Sequence, residues 1–373
     1  MKILNLSLDN SAINKTSALA ARVVDYGSLV EKYIVVVPGQ TKEEIELSEK
    51  VRVYGSGGAS KITQFFYLYQ MAKKLLREEK YDVITVQDQY YLALIGLKLA
   101  RKYRVALEIQ VHGFEKYRGL RKLIASYVLP RADAVRCVSQ RLKKQLLNDF
   151  GVASEKITVA PIFNSLKITN YKLRQKNLTD KFIFLTVGRL VPVKNIALQV
   201  EAMAEIIQKY SQAELWIVGS GPEYKNLKFK IARPRPSRGE AGDNLKLSDS
   251  VKLLGQKTKE GLKEIYNQAD VFLLTSNVEG WGLAVIEAAF YGLPIIMTDV
   301  GCAGEVIKNN ESGLVIPVGD KKALVLAMLK LIENENLRQA LAGKAYQAVF
   351  ALPGKEETLR LYKLGWEKAV NNR

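Results

Sequence analysis

Short apolar runs alternate with longer amphipathic stretches along almost the whole chain, and this rhythm restricts the fold more than any other feature. Ile34–Val37, Asp82–Val86 and Val105–Val111, then Phe182–Val187, Glu214–Val218, Val251–Leu254, Val271–Leu274 and Pro294–Thr298, read as β-strands. Between them lie segments of helical spacing such as Lys61–Glu79 and Ile196–Lys209. Near-continuous apolar strands separated by amphipathic helices are what a parallel sheet covered on both faces requires. The rhythm pauses over the polar stretch 165–181 and restarts at Phe182. With 373 residues to distribute, two α/β domains joined by one linker are the simplest organisation. The expected boundaries are 1–165, a linker at 166–180, 181–353, and a tail at 354–373 whose Glu356–Val370 segment forms a helix.

Composition narrows the class. No uncharged apolar stretch approaches the roughly 18–20 residues of a membrane span. The N-terminus enters a strand at once and lacks a signal-peptide core, so a cytoplasmic location is expected. Cys137 and Cys302 are the only cysteines and lie far apart, which argues against a disulfide framework and a cysteine metal site. The net charge of +18 is uneven. Residues 61–150 carry eighteen Lys/Arg against eight Asp/Glu, whereas residues 1–60 are balanced at seven each. Such a basic region attracts nucleic acid, anionic lipid or phosphorylated substrates alike. Ala232–Asp243, rich in Pro, Gly and Arg, reads as an exposed loop.

The residues able to carry chemistry gather where strands end. Glu287 is the only charged side chain between Glu279 and Asp299, in a short helix over Leu283–Tyr291 that Gly292 and Pro294 would terminate. Leu283, Ile286 and Phe290 share the spacing of a core face and leave Glu287 to one side. A carboxylate in so apolar a run needs hydrogen-bond donors, and no Lys or Arg stands nearby in sequence. A vicinal diol would supply two donors at once; a local cap is the alternative. The preceding loop ends at a helix N-terminus, which suits anionic or polar ligand groups. Gly188-Arg189-Leu190…Lys194 follows a strand, and two cations at such an edge suit a diphosphate, although both are equally at home on a solvated surface. Val218-Gly219-Ser220-Gly221-Pro222 is a third strand-end turn, explained as well by tight turning as by binding. His112, the single histidine, ends the strand Val105–Val111 and is as readily structural as functional. It has no second His or Cys cluster beside it, so zinc is not expected. No Asp-x-Asp pair, Walker A loop or G-x-S-x-G elbow occurs.

Gly188-Arg189-Leu190…Lys194, Val218-Gly219-Ser220-Gly221-Pro222 and Glu279-(seven residues)-Glu287, within Glu-Gly-Trp-Gly-Leu…Glu-Ala…Gly-Leu-Pro, together resemble family-4 glycosyltransferases in order and spacing. Gly301…Gly304-Glu305 and Ser312–Pro317 extend the resemblance, which covers most of residues 180–350; Val111-His112-Gly113 and Ala132–Ser139 carry it more loosely into the first half. It implies the GT-B fold, two Rossmann-like domains facing a cleft, with an acceptor-binding N-terminal domain, a nucleotide-sugar-binding C-terminal domain and a final helix packing back on the former. It implies a metal-independent hexosyltransferase that retains anomeric configuration, with a nucleotide diphosphate sugar, foremost a UDP-sugar, as substrate and no cofactor.

By matched position Glu287 would bind the ribose diol, Glu279 the donor sugar hydroxyls, and Gly280, Trp281, Gly282 and Leu283 sugar and phosphate. Gly188, Gly219 and Gly221 would line the donor site. Arg189 and Lys194 would hold the diphosphate, and His112 would touch the donor sugar or reaction centre. The implied catalytic set is His112, Arg189, Lys194 and Glu279. The chain departs from the family in Asp9–Asn14, which replaces a glycine-rich loop, in Trp281, where Phe is common, and in the segment at 232–243. A glycan or lipid-linked acceptor is expected, in cell-surface polysaccharide or glycolipid synthesis. Basic and apolar residues interleaved from Lys116 to Leu129 suit an anionic membrane surface, the inner face of the plasma membrane being the expected one. The competing readings are a nucleotide-sugar scaffold or epimerase and, without any recognised motif, a nucleic-acid-binding protein.

Overall fold

The computed structural model describes residues 1–114, 119–163, 181–232 and 247–373. The expected linker at 166–180, the segment 233–243, and Lys116, Tyr117 and Arg118 lie outside the described residues. The chain divides into two compact units, Met1–Phe163 with Pro353–Arg373, and Asn164–Leu352.

The first unit runs β1 (Lys2–Leu6), α1 (Ala18–Ser28), β2 (Lys32–Val37), β3 (Lys42–Ser48), β4 (Val51–Ser56), α2 (Lys61–Glu78), β5 (Val83–Val86), α3 (Tyr91–Tyr103), β6 (Ala106–Val111), α4 (Leu120–Val128), β7 (Ala134–Cys137), α5 (Gln140–Phe150) and β8 (Ile157–Val159). Its sheet has the order β3-β4-β2-β1-β5-β6-β7-β8. Every pairing is parallel except β3 with β4. The fully parallel sheet expected from the sequence is therefore broken at one edge. There β3, Lys-Glu-Glu-Ile-Glu-Leu-Ser, alternates exposed and half-buried positions. Charged side chains on an edge strand discourage pairing with another chain. The ends of the helices carry local signals: Ser60 and Thr63 form a capping box at α2, and Ser139 accepts from the Leu142 amide at α5.

The second unit runs β9 (Phe182–Val187), α6 (Ile196–Lys209), β10 (Ala213–Val218), α7 (Tyr224–Ala232), α8 (Leu247–Ser250), β11 (Val251–Gly255), α9 (Lys259–Gln268), β12 (Val271–Leu274), α10 (Leu283–Phe290), β13 (Ile295–Thr298), β14 (Leu314–Ile316), α11 (Lys321–Glu333) and α12 (Glu335–Phe350). The sheet order is β11-β10-β9-β12-β13-β14, all parallel, so the order reverses beside β9. Val200, Met203 and Ile206 of α6 and Met328 and Leu331 of α11 form a core with Phe184, Leu215 and Leu273 of the sheet. Among the described residues no helix is long and apolar enough to cross a membrane.

The last helix, α13 (Lys355–Asn371), belongs to the first unit and packs on β6, β7 and β8. Trp366, fully buried, meets the Tyr33 ring with centroids 5.7 Å apart, and Tyr362 stacks on Tyr26 at 4.7 Å. The Arg136 guanidinium lies 3.5 Å from the Tyr362 ring centroid and donates its Nε to Glu108 Oε1 at 2.8 Å. Both charges of this pair are buried, and the Thr85 hydroxyl also donates to Glu108. Gly365 is what allows α13 to come so close, since a Cβ there would stand 2.7 Å from Glu108 Oε1.

A buried ion pair adds little net stability over an apolar pair of equal volume, but removing one partner strands the other charge. Arg136→Met is therefore expected to lower the free energy of unfolding by about 3–5 kcal/mol. The double variant Glu108→Leu/Arg136→Met should lose markedly less. Urea denaturation of both variants measures the difference.

Candidate functional site

In an open α/β sheet the connections on either side of an order reversal leave in opposite directions, and a crevice opens at the carboxyl ends of the two diverging strands. In the second unit those strands are β9 and β12. Gly188–Lys194 follows one and Thr275–Gly282 the other, so the reversal collects Arg189, Lys194, Glu279 and Gly280–Gly282 at one sheet edge.

Hydrogen bonds bind these two loops into one body. The Asn277 amide donates to Val193 O at 2.7 Å. The Thr275 hydroxyl donates to Asn195 O at 3.0 Å and itself accepts from Gln199 Nε2 at 2.9 Å. Lys194 Nζ pairs with Glu279 Oε1, which also accepts from the Ser276 hydroxyl at 2.7 Å. Lys194 is thus tied to Glu279 across 85 positions of sequence. Arg189 projects into solvent and is the exposed cation of its loop.

The glycines of the neighbouring turn act by letting backbones approach. A Cβ on Gly219 would lie 1.8 Å from Gly188 O, and one on Gly221 would lie 2.3 Å from Leu190 O. The turn after β10 presses directly on the Gly188–Leu190 loop, and the Leu190 amide donates to Ser220 O at 2.8 Å. On the other side, Gly301 takes a positive φ of 57°, and a Cβ there would stand 2.6 Å from Trp281 O. The Cys302 amide caps that same carbonyl at 2.8 Å.

Gly282 adopts φ +92° and turns the chain into α10. Its carbonyl accepts from the Val285 and Ile286 amides, while the first-turn amides of Leu283 and Ala284 have no acceptor among the described residues. These open donors and the positive end of the helix dipole face the edge where Arg189 projects. The helix stops as the sequence indicates. Gly292, at φ +73°, donates to Ala289 O and Leu293 donates to Ala288 O, a Schellman pair.

Glu287 departs from expectation in one respect. It has a partner inside the fold: the Tyr266 hydroxyl, at the end of α9, donates to Glu287 Oε2 at 3.2 Å. Tyr266 is held in place by stacking on Tyr291, with centroids 4.8 Å apart and planes 7° from parallel. Among the described residues Oε1 has no hydrogen-bond partner. Desolvation pushes the Glu287 carboxyl above the usual carboxylate range, and the Tyr266 hydrogen bond only partly offsets it. Leu283 also differs from the expected core position. It is exposed, and the buried face of α10 is Val285, Ile286, Ala288, Ala289 and Phe290. Leu283 and Glu287, one turn apart, share the open face.

His112 belongs to the first unit, just past β6. It lines a cavity of about 290 Å³ with Ser7, Asp9, Arg22, Gln110 and Thr358. Desolvation, then the positive charges of Arg136 and Arg22, hold its imidazole down at about 4, so it is neutral at pH 7 although part of the residue is exposed. Tyr266, Ser276 and Thr275 are the site residues the sequence did not point to. A buried tyrosine needs a partner for its hydroxyl, and that was the available signal for Tyr266.

Residues 169–348 match the family model described as glycosyl transferases group 1, and residues 31–163 match that described as glycosyltransferase family 4. The amylovoran biosynthesis glycosyltransferase AmsK of Erwinia amylovora is 33% identical over 201 residues, 52% of this chain and 46% of that protein. The chain therefore spans about half the length of that relative. The UDP-Gal:alpha-D-GlcNAc-diphosphoundecaprenol alpha-1,3-galactosyltransferase of Escherichia coli is 27% identical over 71% of this chain and 70% of its own length. Among solved structures, sucrose-phosphate synthase from Thermosynechococcus elongatus superposes with a TM-score of 0.78 at 20% identity, covering 98% of this chain and 99% of that one. That likeness establishes the fold as GT-B, with two Rossmann-like α/β domains.

A carboxyl held above its unfolded value keeps its proton longer when folded. Its contribution to stability is complete below the unfolded value and is lost as pH rises through the folded one. Glu287→Gln should remove that decline and leave the ligand-free protein more stable at pH 7 than the parent. Thermal unfolding followed from the ordinary carboxylate range up to neutrality would test this; parallel curves for the two proteins would contradict it.

Proposed function

We propose that this chain, built on glycosyl transferases group 1 and family 4 domains, is a metal-independent retaining glycosyltransferase that moves a hexose from a UDP-sugar to a glycan or lipid-linked acceptor. The observation that carries the reading is Glu287. Its half-buried carboxylate has one oxygen held by Tyr266 and, among the described residues, no partner on the other, at the helix whose first amides are open. A ribose diol offers that carboxylate two donors, and a diphosphate suits Arg189 and the α10 amides. Glu279 suits the sugar hydroxyls: Oε1 is already engaged by Lys194 and Ser276, which marks a positioning carboxylate rather than a nucleophile. The UDP donor draws support from the Escherichia coli relative, a UDP-Gal transferase whose acceptor is carried on diphosphoundecaprenol.

In the proposed step, the acceptor hydroxyl oxygen forms a bond to the anomeric carbon on the face from which the diphosphate leaves. The anomeric C–O bond breaks, and the hydroxyl proton passes to an oxygen of the departing diphosphate. Arg189, Lys194 and the helix dipole stabilise the negative charge gathering there, the kind of preorganised electrostatics that dominates many enzymatic rate enhancements.

The acceptor side of the reading includes a membrane surface. On α4, Leu120 and Leu123 are 61% and 68% exposed beside Arg121 and Lys122, and Arg131 lies 4.2 Å over the exposed Tyr127 ring. Helix α3 packs against α4 and adds the exposed Tyr91 and Leu94. Apolar side chains ringed by cations suit the boundary of an anionic bilayer.

Arg189→Ala is expected to lower kcat by about 10²–10³-fold, the effect of one lost transition-state contact. Glu287→Ala should act mainly through KM for the UDP-sugar. Assay of both variants against a panel of labelled nucleotide sugars tests the assignment, and full activity in both would sink it. Flotation with anionic vesicles should show binding that weakens with salt and is reduced by Leu120→Ser/Leu123→Ser; no flotation would remove the membrane from the proposal.

A further inference from the structure

We infer that Tyr266 is a positioning residue for the nucleotide: its hydroxyl fixes the Glu287 carboxylate and so sets how strongly the site prefers a nucleoside diphosphate with an intact ribose diol. This rests on the reading of Glu287 as the ribose-binding carboxylate. It adds a residue that acts on the ligand only through that carboxylate.

A glutamate on an open helix face turns about several side-chain torsions, and a ligand that needs one geometry loses affinity to the ordering of that chain. Glu287 is already ordered. Its Oε2 accepts from the Tyr266 hydroxyl at 3.2 Å. The influences that shift its carboxyl are desolvation and this hydrogen bond, with no cation among them. The bond joins α10 to α9 across 21 positions of sequence, so it holds the carboxylate relative to a second element. Glu287 is only half-buried and shares its face with the exposed Leu283, which leaves the held carboxylate reachable.

The tyrosine itself is fixed from three sides. Its ring is 2% exposed, lies parallel to Tyr291 just past α10, and tilts against Phe272 of β12 with centroids 6.3 Å apart. The end of α9 is tied to the sheet as well. The Ala269 amide closes the last turn on Ile265 O at 3.1 Å, and the next residue, Asp270, accepts from the Ile183 amide of β9 at 2.7 Å. A ring packed in this way gives its hydroxyl oxygen one position.

Protonation reinforces the geometry. Burial, and then the nearby Glu287 charge, push the Tyr266 phenol well above its ordinary value, so it remains a donor. On Glu287, desolvation favours the protonated form and the Tyr266 bond opposes it. An ionised carboxylate accepts on both oxygens, whereas a protonated one has turned one site into a donor. A vicinal diol brings two donors, and only the ionised form can take both without conflict.

Calorimetry with UDP and 2′,3′-dideoxy-UDP on the full-length protein, on Tyr266→Phe, on Glu287→Ala and on the double variant tests this. Tyr266→Phe keeps the ring stack and removes the hydroxyl. It should weaken UDP about 3–10-fold, the scale of ordering one flexible side chain on binding, and leave the dideoxy analogue within about twofold. In the Glu287→Ala background it should cause no further loss of UDP affinity. Equal weakening of the two ligands, as for a ring that serves only packing, would overturn the inference and leave the donor assignment intact. So would UDP binding unaltered by Tyr266→Phe while Glu287→Ala weakens it. UDP binding unaltered by Glu287→Ala, or absent from the parent protein, would instead strike the donor reading and the inference with it.

Discussion

Parallel strands that leave a sheet in opposite directions cannot fill the space above the point where they part, and the rest of this protein depends on that vacancy. In the second unit it lies beyond β9 and β12; in the first it lies beyond β1 and β5. The sheets supply the rigidity, because their strands are buried on both faces and their cores are continuous. The side chains of functional interest hang from loops at that edge. Arg189, Lys194 and Glu279 reach it in one unit, and His112 in the other.

Loops over a vacancy must be stiffened by something other than a sheet, and here backbone contact does it. Gly219 and Gly221 bring one turn against the Gly188–Leu190 loop, and Gly301 brings another against Trp281. The Lys194–Glu279 pair and the Thr275 hydroxyl stitch the two principal loops to each other. The first unit uses a different device. There α13 supplies a wall of the cavity, held over a buried Glu108–Arg136 pair that Gly365 is small enough to approach. The same contacts that stabilise the units thus fix the positions of Arg189, Lys194 and Glu279, as preorganised electrostatics would require.

Much of the scaffold was legible because its strands are buried on both faces and so read as continuous apolar runs. β9, β10, β12 and β13 were each apparent on that ground. β3 was not: Lys42-Glu43-Glu44-Ile45 carries the composition of a surface segment, and it forms a strand only because β4 offers it an edge. The three-residue strands β8 and β14 are too short to show a period. Glu287 was conspicuous as a lone charge, yet its bond to Tyr266 joins residues on separate helices. Leu283 was misplaced on the core face because spacing gives relative angles along a helix and not which side meets the sheet.

The sequence by itself determined the α/β class, the division of the chain into two patterned halves, the turns where glycine is required, and the isolation of Glu287. Each follows from local chemistry: side-chain period, backbone permissiveness and the cost of burying charge. Only the tertiary structure decided which groups meet. It paired Lys194 with Glu279 and Tyr266 with Glu287, and gave Gly219 and Gly221 a packing role. Those outcomes depend on strand order, and residues brought together by such long-range packing leave no periodic trace along the chain.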